Sequence, residues 1–540
     1  MLKKFIFKDF CSQLTEPWDR FRNYHYFSTE IHEMQRLKKY ESILFFLVLL
    51  IHLFPVIWFT PFVTLDGPVH LYNARLVHDL MMGADTITNR FFEFNPIIEP
   101  NLSGHFLLAM FMFVLPPLIA EKVLLLLIVI AFSLGFRKLI LTIEPAANWI
   151  SWLFFPLIFN FTFLIGFFNF MIGLVVLPFF LSWWIKNQPL PKSGVMYFSG
   201  IVFLLLIYYS HILIFLLAGI LSAVFLFFNK DQGPKWQNWK LLVIAGTPGF
   251  ILTLLYLTTH GSQGYHREIQ WLPLSKILED LSNARCIIMY DYTSEKRFTR
   301  LFTVLLVAAF VIALKFRSIQ KYQQITILWL VIALLMVFVI PDSFASGGII
   351  TPRLELWFSI SFIIMLATFR IPHSYACITG IMATFFSLFM IFYHWEMQQG
   401  LNTSAKEIVN AFEQVDQPAV LLPVNYSNNW MEANLSAYPG AVKKIVVLDN
   451  YEADYRLFPI VWKEGMRPSL HAGNHAETQN PCLTISNSEK VTGQKVEYIS
   501  FWSGLPEGRD SCSSAIQRQL HLLYSDNPIQ SGRYTLFKRR

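Results

Sequence analysis

"SILFFLVLLIHLFPVIWFTPFVTLDGPVHLYNARLVHD", residues 42–79, sets a long apolar run directly against a stretch rich in chemically able side chains. From Ser42 to Leu65 there is no Asp, Glu, Lys or Arg, and a helix needs about 20 apolar residues to cross a bilayer. Asp66, His70, Asn73, Arg75, His78 and Asp79 follow at once. A plain connection is made of turn residues such as Gly, Pro and Ser. An acid, an imidazole and an amide at the mouth of a membrane span need another explanation.

The rest of the chain repeats the first half of that pattern. Similar runs recur, among them "KVLLLLIVIAFSLGF" (122–136), "LFTVLLVAAFVIAL" (301–314) and "ITILWLVIALLMVFVI" (325–340). Of 540 residues 54% are hydrophobic and 15% charged, against about 25% charged in a soluble chain. Lipid admits only backbones that satisfy their own hydrogen bonds, so these runs predict helices. The expected fold is an α-helical polytopic membrane protein of about eleven transmembrane helices, carrying a C-terminal extracytoplasmic α/β domain.

The net charge of +7 does not point to nucleic acid, because the basic residues sit in short loops between spans, where charge sets topology. The opening residues 1–41 are polar and basic, ending "MQRLKKYE". They read as a cytoplasmic segment with an in-plane amphipathic helix, too long and polar for a signal peptide. The transmembrane domain then covers 42–395, with long outer loops at 64–104 and 259–300. Within it, "HFLLAMFMFVLPPLIA" (105–120) reads as a half-helix, 149–164 as a span, and 195–228 as two spans turning near His211. Arg137-Lys138, Lys186, Lys192, Lys235 and Arg370 all fall inside with this count, which agrees with the positive-inside rule. An integral, multi-pass protein of a bacterial inner membrane follows.

Residues 396–540 read as a soluble α/β domain on the outer side. "AVLLPV" (419–424) and "KKIVVLD" (443–449) are short β-branched runs bounded by turn residues, and "AKEIVNAFEQV" (405–415) precedes them as a helix. No Gly-rich phosphate loop or nucleophile elbow occurs there. Five cysteines show no metal-ligand spacing; Cys482 and Cys512 would pair in an oxidising compartment. No metal ligands are nominated, and no cofactor is expected.

Pro68 after Asp66-Gly67 opens a helix predicted over 68–82. On it Asp66, His70 and Asn73 fall on one arc, with an apolar stripe of Val69, Tyr72, Leu76 and Leu80 beside it. Two readings of Asp66 stay open: a helix cap that accepts free N–H groups, or a base aimed at a substrate. Arg353, opening a late span after "GGIITP", is either an interfacial arginine paired with Glu355 or a fork for a phosphate. His105, His211, His266, Arg267 and Glu268 complete the candidates for substrate binding.

The layout resembles the GT-C class of glycosyltransferases. The likeness rests on the aspartate after the first span, the long first loop, "AEKVLLLL…GFRKLI", the turn "FLIGFFNFMIGL" and "YYSHILIF". It covers roughly residues 42–395. The resemblance implies transfer of a sugar from a polyprenyl-phosphate carrier to a glycan, lipid or protein acceptor on the non-cytoplasmic face. It casts Asp66 as general base, with membrane lipid as the setting and no nucleic acid. The chain departs from that class where a second acidic motif would stand, since the turn holds Asn160, Gly166 and Asn169; no metal is implied. The competing readings are a transporter or lipid flippase, and a non-catalytic assembly protein. Transport favours ionisable groups at mid-membrane and broken helices, whereas here the polar groups gather at one rim.

Overall fold

The computed structural model describes residues 27–83, 87–97, 99–188, 190–229, 235–263, 268–316, 320–343, 347–413, 415–455, 457–468, 489–490, 492–505 and 511–540; side chains are described outside 27–38, 260–263 and 511–512. His266, Arg267 and Cys482, and the side chain of Cys512, lie outside them.

The protein is a helical membrane protein. Among the described residues six helices are long and apolar enough to cross a bilayer: Lys39–Trp58, Pro117–Ile143, Phe168–Asn187, Lys235–Thr259, Tyr292–Lys315 and His373–Ala411. Four shorter apolar helices, Ser103–Met112, Gly194–Ser210, Ile212–Phe228 and Gln323–Val339, pack among them. The first helix shows why such segments need lipid. Phe45, Leu49, Leu53 and Val56 are buried against the bundle, while Ile43, Phe46, Leu50, Phe54 and Ile57 on the other face lie exposed. A helix apolar all round has no face for water.

Several boundaries differ from expectation. The first helix is continuous from Phe27 to Trp58, so the described part of the opening segment extends the span instead of forming a separate in-plane helix. The half-helix predicted at 105–120 is Ser103–Met112. Pro117 belongs to the next helix, which it opens as a first-turn proline, where its missing N–H costs nothing. The 195–228 stretch is two helices hinged at His211, whose backbone is extended (φ −165°).

The span predicted at 149–164 is not an α-helix. It is a 3₁₀ helix, Asn148–Leu157, followed by the short turn Phe161–Leu164. Pro156 lacks the N–H an α-helix would use, and every residue from Asn148 to Leu157 is buried. The 3₁₀ form rises about 2.0 Å per residue against about 1.5 Å, so ten residues cover more depth. Neighbouring helices enclose it, and no lipid contact demands α geometry.

At one end of the bundle Arg137 grips Glu41 through two bonds, Nη1–Oε1 2.7 Å and Nη2–Oε2 2.6 Å. Trp152 Nε1 donates to the same carboxylate at 2.6 Å. This buried knot ties the first helix to Pro117–Ile143 and the 3₁₀ segment. Asp66 lies at the other end of the first helix.

The last helix, His373–Ala411, is 39 residues long, about 58 Å at helical rise. It merges the last predicted span with the separate helix expected at 405–415, so no linker marks the domain boundary at 395. Beyond it a five-stranded sheet runs β3-β2-β5-β7-β6. Here β2 is Ala419–Asn425, β3 Ile445–Val447, β5 Tyr498–Trp502, β6 Ile529–Ser531 and β7 Tyr534–Lys538. β2 pairs parallel with β3 and β5, and β7 antiparallel with β5 and β6. The two predicted runs are the edge strand β3 and its neighbour β2. A separate antiparallel pair joins β1 (Phe92–Phe94) in the first loop to β4 (Ile460–Trp462) in the tail, with Glu93 opposite Val461. The C-terminal domain therefore sits on the first loop.

Candidate functional site

The site is built on the turn Leu164–Phe170. Leu65 N donates to Leu164 O (3.2 Å) and Asp66 N to Ile165 O (3.0 Å), so the backbone before the first-loop helix is clamped to this turn. Gly166 makes the clamp possible. Its φ is +84°, and a Cβ there would stand 2.9 Å from Gly67 N and 3.0 Å from Asp66 N. Phe167 and Phe168 point to opposite neighbours: Phe168 lies under His70 (centroids 5.3 Å apart), and Phe167 carries the Arg353 guanidinium at 4.2 Å. Asn169 Oδ1 accepts from Gly104 N at 2.6 Å and so positions the helix bearing His105.

Asp66 precedes the helix Gly67–Met81 at the cap position, yet its side chain makes no cap hydrogen bond and its φ, ψ of −93°, −9° are helical. A capping residue takes β-region angles and spends its carboxylate on N2 or N3. Here Oδ1 instead accepts from Asn434 Nδ2 at 3.0 Å, and Tyr451 supplies a further side-chain hydrogen bond. Asp66 is half-buried. Loss of hydration, aided by the nearby Glu452 charge and opposed by His70, Tyr451 and Arg353, raises its pKa to about 6.

His70 and Asn73 share the predicted face with Asp66, and the C-terminal domain covers that face. His70 Nδ1 lies 2.6 Å from Glu452 Oε1 and 3.2 Å from His105 Nε2. His105 Nε2 lies 2.9 Å from Glu452 Oε2. Asn73 Nδ2 donates to the same Oε2 at 2.8 Å, and its amide exchanges two 3.0 Å hydrogen bonds with Asn450. Burial opposes ionisation of Glu452, but the two imidazoles and the hydrogen bonds outweigh it and hold the pKa near 2. His70 is raised, since Glu452 and Asp66 outweigh its desolvation, whereas His105 is lowered because desolvation wins. Asn73 is fully buried with its amide engaged. It holds Glu452 and Asn450.

Arg353 is stacked on Phe167 and, at 5.7 Å, on Phe170, with Nη1 3.5 Å from His211 Nε2. Glu355 does not pair with it by hydrogen bond: both its carboxylate oxygens are buried without a partner among the described residues. His211 Nδ1 accepts from Leu213 N at 3.2 Å, capping its helix. Glu268 is exposed, near the bridge of Gln270 to Ser343, and donates nothing to the cluster.

Sequence reasoning missed Glu452, Tyr451, Asn434 and Glu121. The first three come from the tail, and no local period announces a contact across more than 340 residues of chain, such as the Glu452–His105 pair. Glu121, just past the first turn of its helix, is buried with both oxygens unpartnered among the described residues. Its Oε1 is 2.8 Å from where a Gly67 Cβ would stand. An acid opening an otherwise apolar span was the available signal.

No protein-family model matches the chain, and no curated protein matches it.

Proposed function

We propose that the protein is an inverting membrane glycosyltransferase of the GT-C kind, taking a sugar from a polyprenyl-phosphate carrier on the non-cytoplasmic face. The observation that carries this reading is the Asp66 carboxylate: it stands where a cap would, caps nothing, and has a pKa near 6. A general base works best with a pKa near the operating pH. The acceptor hydroxyl oxygen attacks the anomeric carbon while its proton passes to Asp66. The sugar–phosphate bond breaks, and its electron pair leaves with the carrier phosphate. Arg353, whose charge reaches Asp66, offers a planar fork to that phosphate.

The carrier's chain needs an apolar channel beside the carboxylate. A narrow pocket of about 40 Å³ lies between the first helix, the 3₁₀ segment and the last helix, lined by Phe59, Phe62, Phe159, Trp395 and Leu164; a carrier chain would have to open it further. Leu164 is the residue whose carbonyl holds Leu65. We place the N-terminus in the cytoplasm, eleven passes through the membrane including the 3₁₀ segment and the helix Ile350–Leu366 that carries Arg353, and the C-terminal domain outside with Asp66. The transporter reading predicts ionisable groups at mid-membrane and broken helices, whereas Asp66, His70, His105 and Glu452 gather at one end of the bundle.

The test is donor consumption by purified protein offered a panel of polyprenyl-phosphate sugars. Turnover of at least one donor supports the proposal. No consumption of any donor, together with flux of sugar or lipid in proteoliposomes, replaces it with transport.

A further inference from the structure

We propose that His70, His105 and Glu452 bind a single divalent transition-metal ion, with zinc the best match, and that the ion clasps the C-terminal domain to the two loop helices beneath it. The proposal stands independently of glycosyl transfer.

The three side chains come from three separate elements: the first-loop helix Gly67–Met81, the helix Ser103–Met112 and the turn Tyr451–Asp454. All three are buried, and their ligand atoms lie within 4.8 Å of one another. The closest approaches are 3.2 Å between the ring nitrogens, 2.6 Å from His70 to Glu452 and 2.9 Å from His105 to Glu452. Nitrogens 3.2 Å apart, each about 2.1 Å from an ion, subtend roughly 100° at it, between the octahedral and tetrahedral angles. The carboxylate oxygens, 2.6 and 2.9 Å from those nitrogens, subtend roughly 80–90° and would draw back slightly on ligation. Two imidazoles and one carboxylate are a known three-ligand set for zinc.

The surroundings of His70 and Glu452 match what such ligands need, while Nδ1 of His105 is buried without a hydrogen-bond partner among the described residues. A ligating histidine donates its other N–H to a carbonyl or carboxylate, and ligating carboxylates are themselves hydrogen-bonded. His70 has a hydrogen bond to the Gly166 backbone, and Glu452 Oε2 accepts from Asn73. Asn73 is fixed in turn by Val69 O at 3.1 Å and by Asn450. Imidazole donors exclude Mg²⁺ and Ca²⁺, which take oxygen ligands, and suit Zn²⁺, Fe²⁺, Ni²⁺ or Cu²⁺.

The position gives the ion its role. Glu452 comes from the tail, His70 from the first long loop and His105 from the short helix that follows that loop. Metal binding free energy is folding free energy when the site exists only in the folded state. The ion would therefore hold the domain down over Asp66.

The experiment uses tag-free, full-length protein purified in detergent without chelators. Metal content is measured by mass spectrometry, and the stripped protein is then titrated with Co²⁺ and with Zn²⁺. About one equivalent of metal per chain, a visible Co²⁺ spectrum, and a melting temperature raised by several degrees with Zn²⁺ are expected. His105→Gln and Glu452→Gln should each lose the metal and the Zn²⁺-dependent shift; Gln at 452 retains an acceptor for Asn73. Folded wild-type protein with under about a tenth of an equivalent and no Co²⁺ spectrum overturns the proposal, leaving two imidazole N–H groups donating to one carboxylate. No donor sugar enters the assay, so its failure does not bear on transfer, nor that of transfer on the metal.

Discussion

At Asp66 a carboxylate has been placed where capping chemistry is cheap and then withheld from it. Its folded pKa of about 6 stands above its ordinary value of 3.8, so the folded state binds the proton more tightly than the unfolded chain. Stability linked to this group is therefore fullest below about pH 4 and falls as pH rises toward 6. Asp66→Asn removes that penalty. Thermal melts should show the variant at or above wild type at pH 7, with the difference vanishing near pH 4. Catalysis has the opposite slope: if the carboxylate is the base, turnover rises with pH through about 6 and is lost as the group protonates. A rate profile flat between pH 5 and 7 would contradict that assignment.

Arg353 carries its own test. Its guanidinium lies flat on Phe167, a contact an ammonium does not reproduce. Arg353→Lys should weaken donor binding about tenfold or more with the charge retained, measured as donor affinity. Equal affinity would return Arg353 to an interfacial role. This residue shows how far sequence reasoning reaches. Position at a span end marked it as either an ion-pair partner of Glu355 or a phosphate fork, and the stack on Phe167 lies in a turn almost two hundred residues away.

Elements were legible in proportion to how far lipid and local chemistry decide them. The helix Gly67–Met81 follows from Asp-Gly-Pro and the apolar stripe after it, and the break at His211 follows from a run too long for one span. The 3₁₀ segment was not legible, because its geometry comes from neighbours that bury it on all sides. The same holds for the last helix, where polar residues after 395 suggested a boundary but the helix continues to Ala411. Gly166 tests the clamp on Asp66 most simply. Gly166→Ala forces a non-glycine residue to φ +84° and a Cβ to 2.9 Å from Gly67 N. A loss of about 1–3 kcal/mol is expected, with the turn displaced. A melting temperature within a degree of wild type would show that the clamp gives way without cost.

Across the whole molecule the sequence readily conveys a membrane body with a small α/β domain, since composition and run length are global properties. It does not convey that the domain lies on the first loop through β1–β4 and the Glu452 cluster. Only folding joins those residues. The proposed sidedness makes a direct prediction. In intact cells a single cysteine at Lys235 should resist a membrane-impermeant thiol reagent, and one at the exposed Glu268 should react. The reverse pattern would invert the arrangement, and with it the face on which Asp66 works.

The central claim is that Asp66 is a base rather than a cap, and one measurement separates the two: turnover of the consumed donor by Asp66→Asn protein whose fold has been checked by thermal melting. Asparagine keeps an acceptor oxygen for Asn434 but cannot take the acceptor's proton. The account predicts a melting temperature no lower than wild type and a rate reduced about 10²–10⁴-fold. A well-folded Asp66→Asn protein that turns over donor at close to the wild-type rate would contradict it.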